Sequence, residues 1–579
     1  REGNLYRYDL QRGQELPLTA DGMGYVSNGI AEFIAQEEMH RFEGYWWSPD
    51  DCWLAYTRVD ESVVTETLRH EIQADSVTVV PQRYPFAGAD NADVRLLVLH
   101  LASGAIREIP YHVEDDDYLA RVGWLGDRLA VQRQSRDQRT LELFAFDPET
   151  GDGQQLLHET SPTWINLHDN LTPLPDAATA CNDTAAPADQ QLRFLWSSER
   201  TGHSQLYLYE HGGLRPLTSG EGRINRVLWA DHERALVTGW LDNPTEQHLY
   251  EVALTAARQP RRLTVQPGWH EPVINADGSR AVVRSTSLTH PGQLALLETT
   301  SDSRFQPLTL AEERITGTHP YVPYHDAHVT SELGTLTAED GQLLHYRLTR
   351  PAGPAPPGGA PVIVYVYGGP GVHRVRNEWP PLLLQLLCQH GYGVMELDNR
   401  GSGNRDRGFE APIHQRLGGA EVRDQVVGAR FLGSLPWVNA DRIGVFGHSY
   451  GGYMTLMCLL QRPEIFKAGV AVAPVSDWRL YDTHYTERYL GSPQDHPDNY
   501  AVSSVLEYID GLQGKLLIVH GMADDNVLFT HATKLFRALQ AKTLPFEMMT
   551  YPGSKHALQE RDVSIHRFNL LLDFFGRHL

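Results

Sequence analysis

The first 310 residues repeat one local design. NLYRYDLQRGQELPLT (4–19) reads as an alternating strand, a turn and a second short strand. The scheme returns in RLLVLHLASGAIREIP (95–110), LELFAFDPETGDGQQLL (141–157), QLYLYEHGGLRPLT (205–218), HLYEVALTAARQPRRLT (248–264) and QLALLETTSDSRFQPLT (293–309). Apolar/polar alternation broken by Gly, Asp or Ser is the pattern of a hairpin with one buried face. Hairpins recurring at intervals of roughly 40 to 50 residues predict the blades of a β-propeller. YWWSPDDCWLAYTRVD (45–60) and LRFLWSSERTG (192–202) read as inner strands of such blades, with an irregular β-sandwich as the alternative. About six units can be counted, and the first starts at residue 4 without a preceding partner strand. The expectation is therefore an open, incomplete propeller whose N-terminal part lies outside this chain.

After residue 310 the texture changes. A Pro/Gly-rich stretch, PAGPAPPGGAP (351–361), reads as a hairpin tip, and apolar strands then alternate with longer helical patterns. Strands are expected at 362–367, 393–397, 442–446, 468–473, 515–520 and 545–551, and helices at 418–434, 450–461, 529–541 and 561–577. Continuous apolar strands alternating with helices imply a mainly parallel sheet covered on both faces, the α/β-hydrolase kind of architecture. The division expected is a propeller domain over 1–315 and an α/β-hydrolase domain over 316–579. In such sheets the functional residues gather beyond the carboxyl ends of the strands.

A chain of 579 residues is too long for one core, in keeping with two domains. Its formal net charge is −23, which disfavours nucleic acid and other polyphosphates and attracts cationic or amine-bearing ligands. Cys52, Cys181, Cys388 and Cys458 are far apart and form no CxxC, so neither a disulfide framework nor a zinc site is indicated. No metal or cofactor motif is present, and no apolar run approaches the ~18 residues of a membrane span. NLT at Asn170 and NDT at Asn182 match the glycosylation pattern, which is common by chance.

DRIGVFGHSYGGYMTL (441–456) contains G-x-S-x-G, from Gly447 to Gly451. At ~7% each for Gly and Ser, about 0.2 occurrences are expected by chance in such a chain. The setting adds weight: an apolar strand precedes the motif and a helical pattern follows, as a nucleophile elbow requires. A serine hydroxyl needs a base and an oriented carboxylate, here expected in the chain order serine, acid, histidine. LLIVHGMADDNV (516–527) supplies Asp524 and FEMMTYPGSKHAL (546–558) supplies His556. His520 competes as the base but sits at a strand end before the acid. Asp525 competes as the acid, but its side chain should point away from its neighbour's. The oxyanion donors are expected to be the Tyr450 backbone N–H and Tyr367, which ends a strand before a glycine turn; a core tyrosine is the alternative for Tyr367.

One stretch stays unexplained by these motifs. AEFIAQEEMHRF (31–42) sets Glu37 beside Glu38 among apolar and aromatic neighbours. Adjacent carboxylates raise each other's pKa unless a cation relieves them. A solvated turn and a clamp for an ammonium group both fit these residues.

GHSYGGYM, HGMADDNV, VYGGPG, DNRGSGNRDRGFE (398–410) and VAPVSDWRLYDTHYTERYLG (472–491) together resemble the prolyl oligopeptidase family of serine peptidases. NGIAEFIAQEEM (28–39) looks like the double-glutamate motif of its dipeptidyl peptidase IV branch, particularly the bacterial members. The resemblance implies that Glu37 and Glu38 grip the α-ammonium of a peptide, so that the bond two residues from the amino end meets the serine. It implies a proline pocket from Val475, Trp478, Tyr481, Tyr485, Tyr450 and Val527, with Asn526 on the carbonyl of the first substrate residue. It assigns Tyr367 to the oxyanion and brings the Tyr481 hydroxyl to the substrate ammonium. An arginine upstream of the double glutamate, which shares that carbonyl in the family, has no counterpart here, since Arg1, Arg7 and Arg12 are too near the motif. His448, before the nucleophile, stands where mammalian relatives commonly have tryptophan and reads as structural.

The implied activity is release of Xaa-Pro, and more slowly Xaa-Ala, dipeptides from peptides with a free N-terminus, without a cofactor. Ser449 attacks, His556 moves the proton, Asp524 holds the imidazole, and Tyr367 with the Tyr450 amide holds the oxyanion. A prolyl tripeptidyl peptidase and a non-catalytic peptide-binding relative are the rival readings, and an esterase would leave Glu37 and Glu38 without a task. The resemblance also implies a homodimer formed through the hydrolase domain and a propeller extension. It favours a periplasmic or secreted location, with the cytoplasm as the alternative.

Overall fold

The computed structural model describes residues 1–112, 116–174, 192–255, 258–300 and 307–579. Cys181 and Asn182 lie outside the described residues. Ahead of residue 313 the described residues fold into six antiparallel sheets in sequence, of two, five, four, four, four and four strands, and a seventh, two-stranded one, Glu66–Ile72 with Val77–Arg83, inserted within the second. The repeated hairpins of the sequence are the outer strand pairs of these sheets. Thr140–Phe146 pairs with Gly153–Thr160, Gln205–Glu210 with Gly213–Pro216, and His290–Glu298 with Leu308–Glu312.

A four-stranded sheet cannot bury its own apolar face, so each packs on the next. Ala55, Val59 and Leu96 of the second sheet meet Leu129, Val131 and Phe146 of the third in one buried cluster. Leu141 and Leu143 meet Phe194 and Trp196 of the fourth, and Leu195 and Leu208 meet Val237 and Tyr250 of the fifth. Truncating a side chain as enclosed as Phe194 should cost about 3–5 kcal/mol. This face-to-face succession is a propeller.

The C-terminal sheet has eight strands, beginning at Glu332–Thr337 and ending at Glu547–Tyr551. Numbered along the chain, their order across the sheet is 1-2-4-3-5-6-7-8. Strands 1 and 2 are antiparallel to their neighbours and the rest are parallel. Strand 3, Ala360–Tyr365, shows why both faces are apolar. Val362 and Val364 enter one core with Met454 and Leu456, while Ile363 enters another with Phe446 and Phe574.

Two expectations need correction. PAGPAPPGGAP is not a hairpin tip: strands 2 and 3 on either side of it do not pair, because strand 4, Gly393–Leu397, lies between them. Asn170 cannot carry a glycan, because its buried amide nitrogen donates to Ser197 Oγ at 2.8 Å and to the Asn225 carbonyl at 3.2 Å.

The helices Leu382–Gln389 and Thr483–Leu490 were not expected. The first, LLLQLLCQ, is apolar nearly all round, and the second hides His484, Thr486 and Glu487 in the interior, so neither shows a clean amphipathic period. The two domains are sewn together by Arg136 on Glu487 at 2.8 Å, Thr483 Oγ1 on Asn91 at 2.6 Å and Arg407 N on the Gly202 carbonyl at 2.9 Å. Among the described residues no helix is long and apolar enough to cross a membrane.

Candidate active site

Strand 5, Val438–His448, delivers Ser449 directly to the start of the helix Tyr450–Gln461. Ser449 is held at φ 59°, ψ −119°, a conformation L-residues adopt only under constraint. The constraint is visible: its N–H is bonded to the Val472 carbonyl at 2.8 Å, and the turn is pressed against strand 3. A Cβ at Gly447 or Gly451 would collide with the Val366 carbonyl, so only glycine fits on either side of the serine.

Asp524 follows strand 7 and His556 follows strand 8, so the serine, acid and base all leave the carboxyl edge of the sheet. His556 Nδ1 lies 2.8 Å from Asp524 Oδ2. Burial alone would raise the Asp524 pKa, but hydrogen bonds from His520 and His556 outweigh it and hold the carboxyl well below the usual range. Asp524 is therefore an anion able to fix the imidazole tautomer and stabilise its protonated form. Among the described residues no hydrogen bond joins Ser449 Oγ to His556; such contacts commonly tighten only when substrate is bound. The elbow and the histidine loop are nevertheless tied, because His448 Nε2 meets the His556 carbonyl at 2.9 Å. Burial pushes the His448 pKa down to about 3, so this ring is a neutral donor.

The competitors separate by geometry. Asp525 turns outward to Lys555 at 2.7 Å. His520 is fully buried, with Nε2 shared between Asp524 Oδ2 at 3.1 Å and the Val527 carbonyl at 2.9 Å. It meets the same carboxylate oxygen, Asp524 Oδ2, as His556 does.

Tyr367 leaves the end of strand 3 with its ring 6.2 Å from that of Tyr450. Burial raises its pKa to about 12, so it remains a neutral phenol able to donate. The Tyr450 N–H lies in the first helical turn, where backbone donors lack intrahelical acceptors.

Beside the serine is an aromatic box. Trp478 and Tyr485 are parallel at 5.9 Å, Tyr481 stands edge-on to Tyr485 at 5.3 Å, and Tyr450 lies 5.6 Å from Trp478. Val475 and Val527 are buried with them.

Glu37 and Glu38 come from the propeller, at the carboxyl end of the short helix Phe33–Glu37. The helix dipole opposes negative charge there, so the position is electrostatically costly and must be held from outside. Ile34 and Ala35 are buried, Phe33 packs on Tyr84 at 5.1 Å, and the chain after the helix is pinned by the buried Arg41–Glu32 pair at 2.8 Å. Asn526 joins the glutamate pair to the box: its Nδ2 donates to Glu37 Oε1, and its Oδ1 accepts from the Tyr481 hydroxyl at 3.0 Å.

Burial raises the pKa of Glu37, and the charge of His556 is the largest opposing influence. Burial also raises Glu38 far above the carboxylate range, helped by Asp482 and resisted by Arg488. Asp482 itself is pushed up to about 7 by burial. Glu37, Glu38 and Asp482 are thus a set of under-compensated carboxyls. Asp482, Arg488 and His520 were not assigned roles from the sequence. Asp482 reads locally as a helix cap, which it also is, accepting from the Tyr485 N–H at 2.9 Å.

Comparison with known proteins identifies the family. Residues 1–292 match the Dipeptidyl peptidase IV (DPP IV) N-terminal region, and residues 381–579 match the Prolyl oligopeptidase family. Dipeptidyl peptidase 8 of Mus musculus is 29% identical across 96% of this chain and 70% of its own length. A probable dipeptidyl peptidase 4 of Aspergillus flavus is 29% identical over 92% of this chain and 70% of its own. The crystal structure of Porphyromonas gingivalis dipeptidyl peptidase 4 superimposes with a TM-score of 0.90 at 26% identity, covering 100% of this chain and 80% of that one. A putative dipeptidyl aminopeptidase IV from Bacteroides ovatus gives 0.88 at 28% identity, covering 100% and 84%. The chain belongs to the prolyl oligopeptidase family of serine peptidases, on its dipeptidyl peptidase IV branch.

Proposed function

We propose that the protein is a dipeptidyl aminopeptidase that releases Xaa-Pro, and more slowly Xaa-Ala, from the free amino end of peptides through an acyl-enzyme. The observation that carries this reading is Asn526, which links Glu37 to Tyr481 and so sets the carboxylate pair against the aromatic box. An ammonium between Glu37 and Glu38 relieves two desolvated carboxyls at once. From that anchor the second side chain falls into the box, whose aromatic faces suit a compact ring with no donor to satisfy.

Ser449 then attacks the carbonyl that follows, and His556 accepts its proton at Nε2 while Nδ1 stays on Asp524. Tyr367 and the Tyr450 N–H hold the oxyanion. Collapse of the tetrahedral intermediate breaks the C–N bond as His556 returns the proton to the leaving amine. Water, activated by the same histidine, releases the dipeptide. No step calls for a cofactor. A homodimer belongs to the same reading, and sedimentation of the purified chain tests it.

The activity is tested by p-nitroaniline release from Gly-Pro-, Ala-Ala-Pro- and N-acetyl-Gly-Pro-p-nitroanilide. Cleavage of the free dipeptide substrate alone is expected. Preference for the tripeptide would move the answer to a tripeptidyl peptidase, and equal cleavage of the acetylated substrate would refute the clamp.

A further inference from the structure

One hairpin of the propeller reaches the two loops that carry the acid and the base. Its strands, Glu66–Ile72 and Val77–Arg83, are inserted between Trp53–Asp60 and Asp93–His100 of the second sheet and pair with each other. Hydrogen-bond donors from this segment meet three main-chain carbonyls of the acid loop. Arg69 Nη1 lies 3.2 Å from the Ala523 oxygen and Gln82 Nε2 3.3 Å from that of Asp525. The hydroxyl of Tyr84, just past the hairpin, lies 3.3 Å from that of Asn526. Arg69 is itself aimed by Glu71 at 2.5 Å and by the Gln82 side-chain amide oxygen, Oε1, which accepts from its Nε at 2.8 Å.

The far end of the hairpin holds the base. Its Ile72 carbonyl accepts from the Gly553 N–H at 2.7 Å, in the turn that precedes His556. Gly553 has φ 74°, and a Cβ there would strike the Gln73 amide, so hairpin and turn are in close contact. Buried carbonyls need donors, and this loop draws them from another domain. The Val527 carbonyl, by contrast, is satisfied internally by His520.

We infer that the hairpin is a positioning element for catalysis: Arg69 and Gln82 fix the acid loop, Ile72 fixes the turn before His556, and the propeller thereby sets the Asp524–His556 geometry. The inference rests on Ser449, Asp524 and His556 being the triad. Neither Arg69 nor Gln82 touches Glu37, Glu38 or the aromatic box through these bonds, and Asn526, in the same loop, keeps its own ties to Tyr84, Glu37 and Tyr481, so the effect of the pair falls mainly on the chemical step. A shift of about 1 Å in a catalytic group can cost about 100-fold in rate.

The test uses the full chain with Arg69→Ala/Gln82→Ala, Arg69→Lys, the exposed hairpin control Thr78→Ala, and Ser449→Ala. Folded enzyme is counted by titration with a diphenyl dipeptidyl-proline phosphonate and by the melting curve. For the double variant kcat per titrated site should fall about 10- to 100-fold, with KM for Gly-Pro-p-nitroanilide within about threefold. Arg69→Lys should recover most of the loss, since its ammonium can still meet the Ala523 carbonyl, and Thr78→Ala should match wild type. An unchanged kcat per titrated site in the double variant, beside an inactive Ser449→Ala, would overturn the inference. A loss that appears only as fewer folded molecules would overturn it too. Turnover by Ser449→Ala would instead overturn the triad on which it rests.

Discussion

Replacing Glu38 with glutamine keeps the side chain's size and removes its charge. Glu37 is the more solvent-exposed of the two, though partly desolvated, and Glu38 is half-buried, with burial, Asp482 and Arg488 dominating its environment. An exposed ion pair contributes about 0.2–1 kcal/mol. Two unit charges 4 Å apart interact by about 4 kcal/mol at an effective dielectric of 20, an upper bound once desolvation is subtracted. Glu38→Gln should therefore cost about 2–4 kcal/mol of substrate binding, or about 30- to 1,000-fold in kcat/KM. Glu37→Gln should cost less, about tenfold or under. The ammonium is present in ground and transition states alike, so most of the loss should appear in KM. The same variant should melt at a higher temperature near neutral pH, because the native state no longer has to keep on Glu38 a proton that the unfolded chain would release. The assay is p-nitroanilide hydrolysis with free and acetylated Gly-Pro, together with calorimetric melting. A loss under threefold on the free substrate, or an equal loss on the acetylated one, would refute the clamp reasoning.

Asp482 titrates near 3.8 unfolded and about 7 folded. Between those values the native state keeps a proton that the unfolded chain has lost, so stability falls as pH rises through that window. Asp482→Asn retains the helix cap, and its melting-temperature advantage over wild type should grow from pH 4 to pH 7; a constant gap would contradict the assignment. Binding of a free dipeptide amine near pH 6.5 should release protons as the raised carboxyls ionise, measured by calorimetry in buffers of different ionisation enthalpy. Removing the His520 donor with phenylalanine should make Asp524 more basic and shift the acidic limb of the kcat/KM profile to higher pH, while glutamine, which can still donate, should restore it in part. Gly451→Ala should abolish activity and cost about 2 kcal/mol or more of stability, read by denaturant unfolding, because its Cβ meets a main-chain carbonyl rather than a movable side chain.

Which parts were legible follows from the range of the interactions. The elbow could be read from the sixteen residues 441–456 because its requirements are local: an apolar strand, glycines where a Cβ has no room, and a helix beyond. PAGPAPPGGAP was misread because proline and glycine mark any sharp departure from a strand. Whether the next strand returns beside the last or leaves a gap is decided by strand 4, some thirty residues later. Glu37 and Glu38 were ambiguous for the same reason. Nothing within ten residues distinguishes a solvated turn from a clamp, and Asn526, which connects Glu37 to the aromatic box, is 489 residues away.

The sequence by itself determined the propeller hairpins, the parallel sheet, and the order of serine, acid and base, since each is written in a short period or a short motif. Only the tertiary structure decided that the acid loop is held by Arg69 and Gln82, that Asp524 serves two histidines, and that Glu38 shares its surroundings with Asp482. Those are contacts between segments hundreds of residues apart, or between neighbours that face one another only after the sheet has closed, and their energies depend on burial that no local pattern encodes.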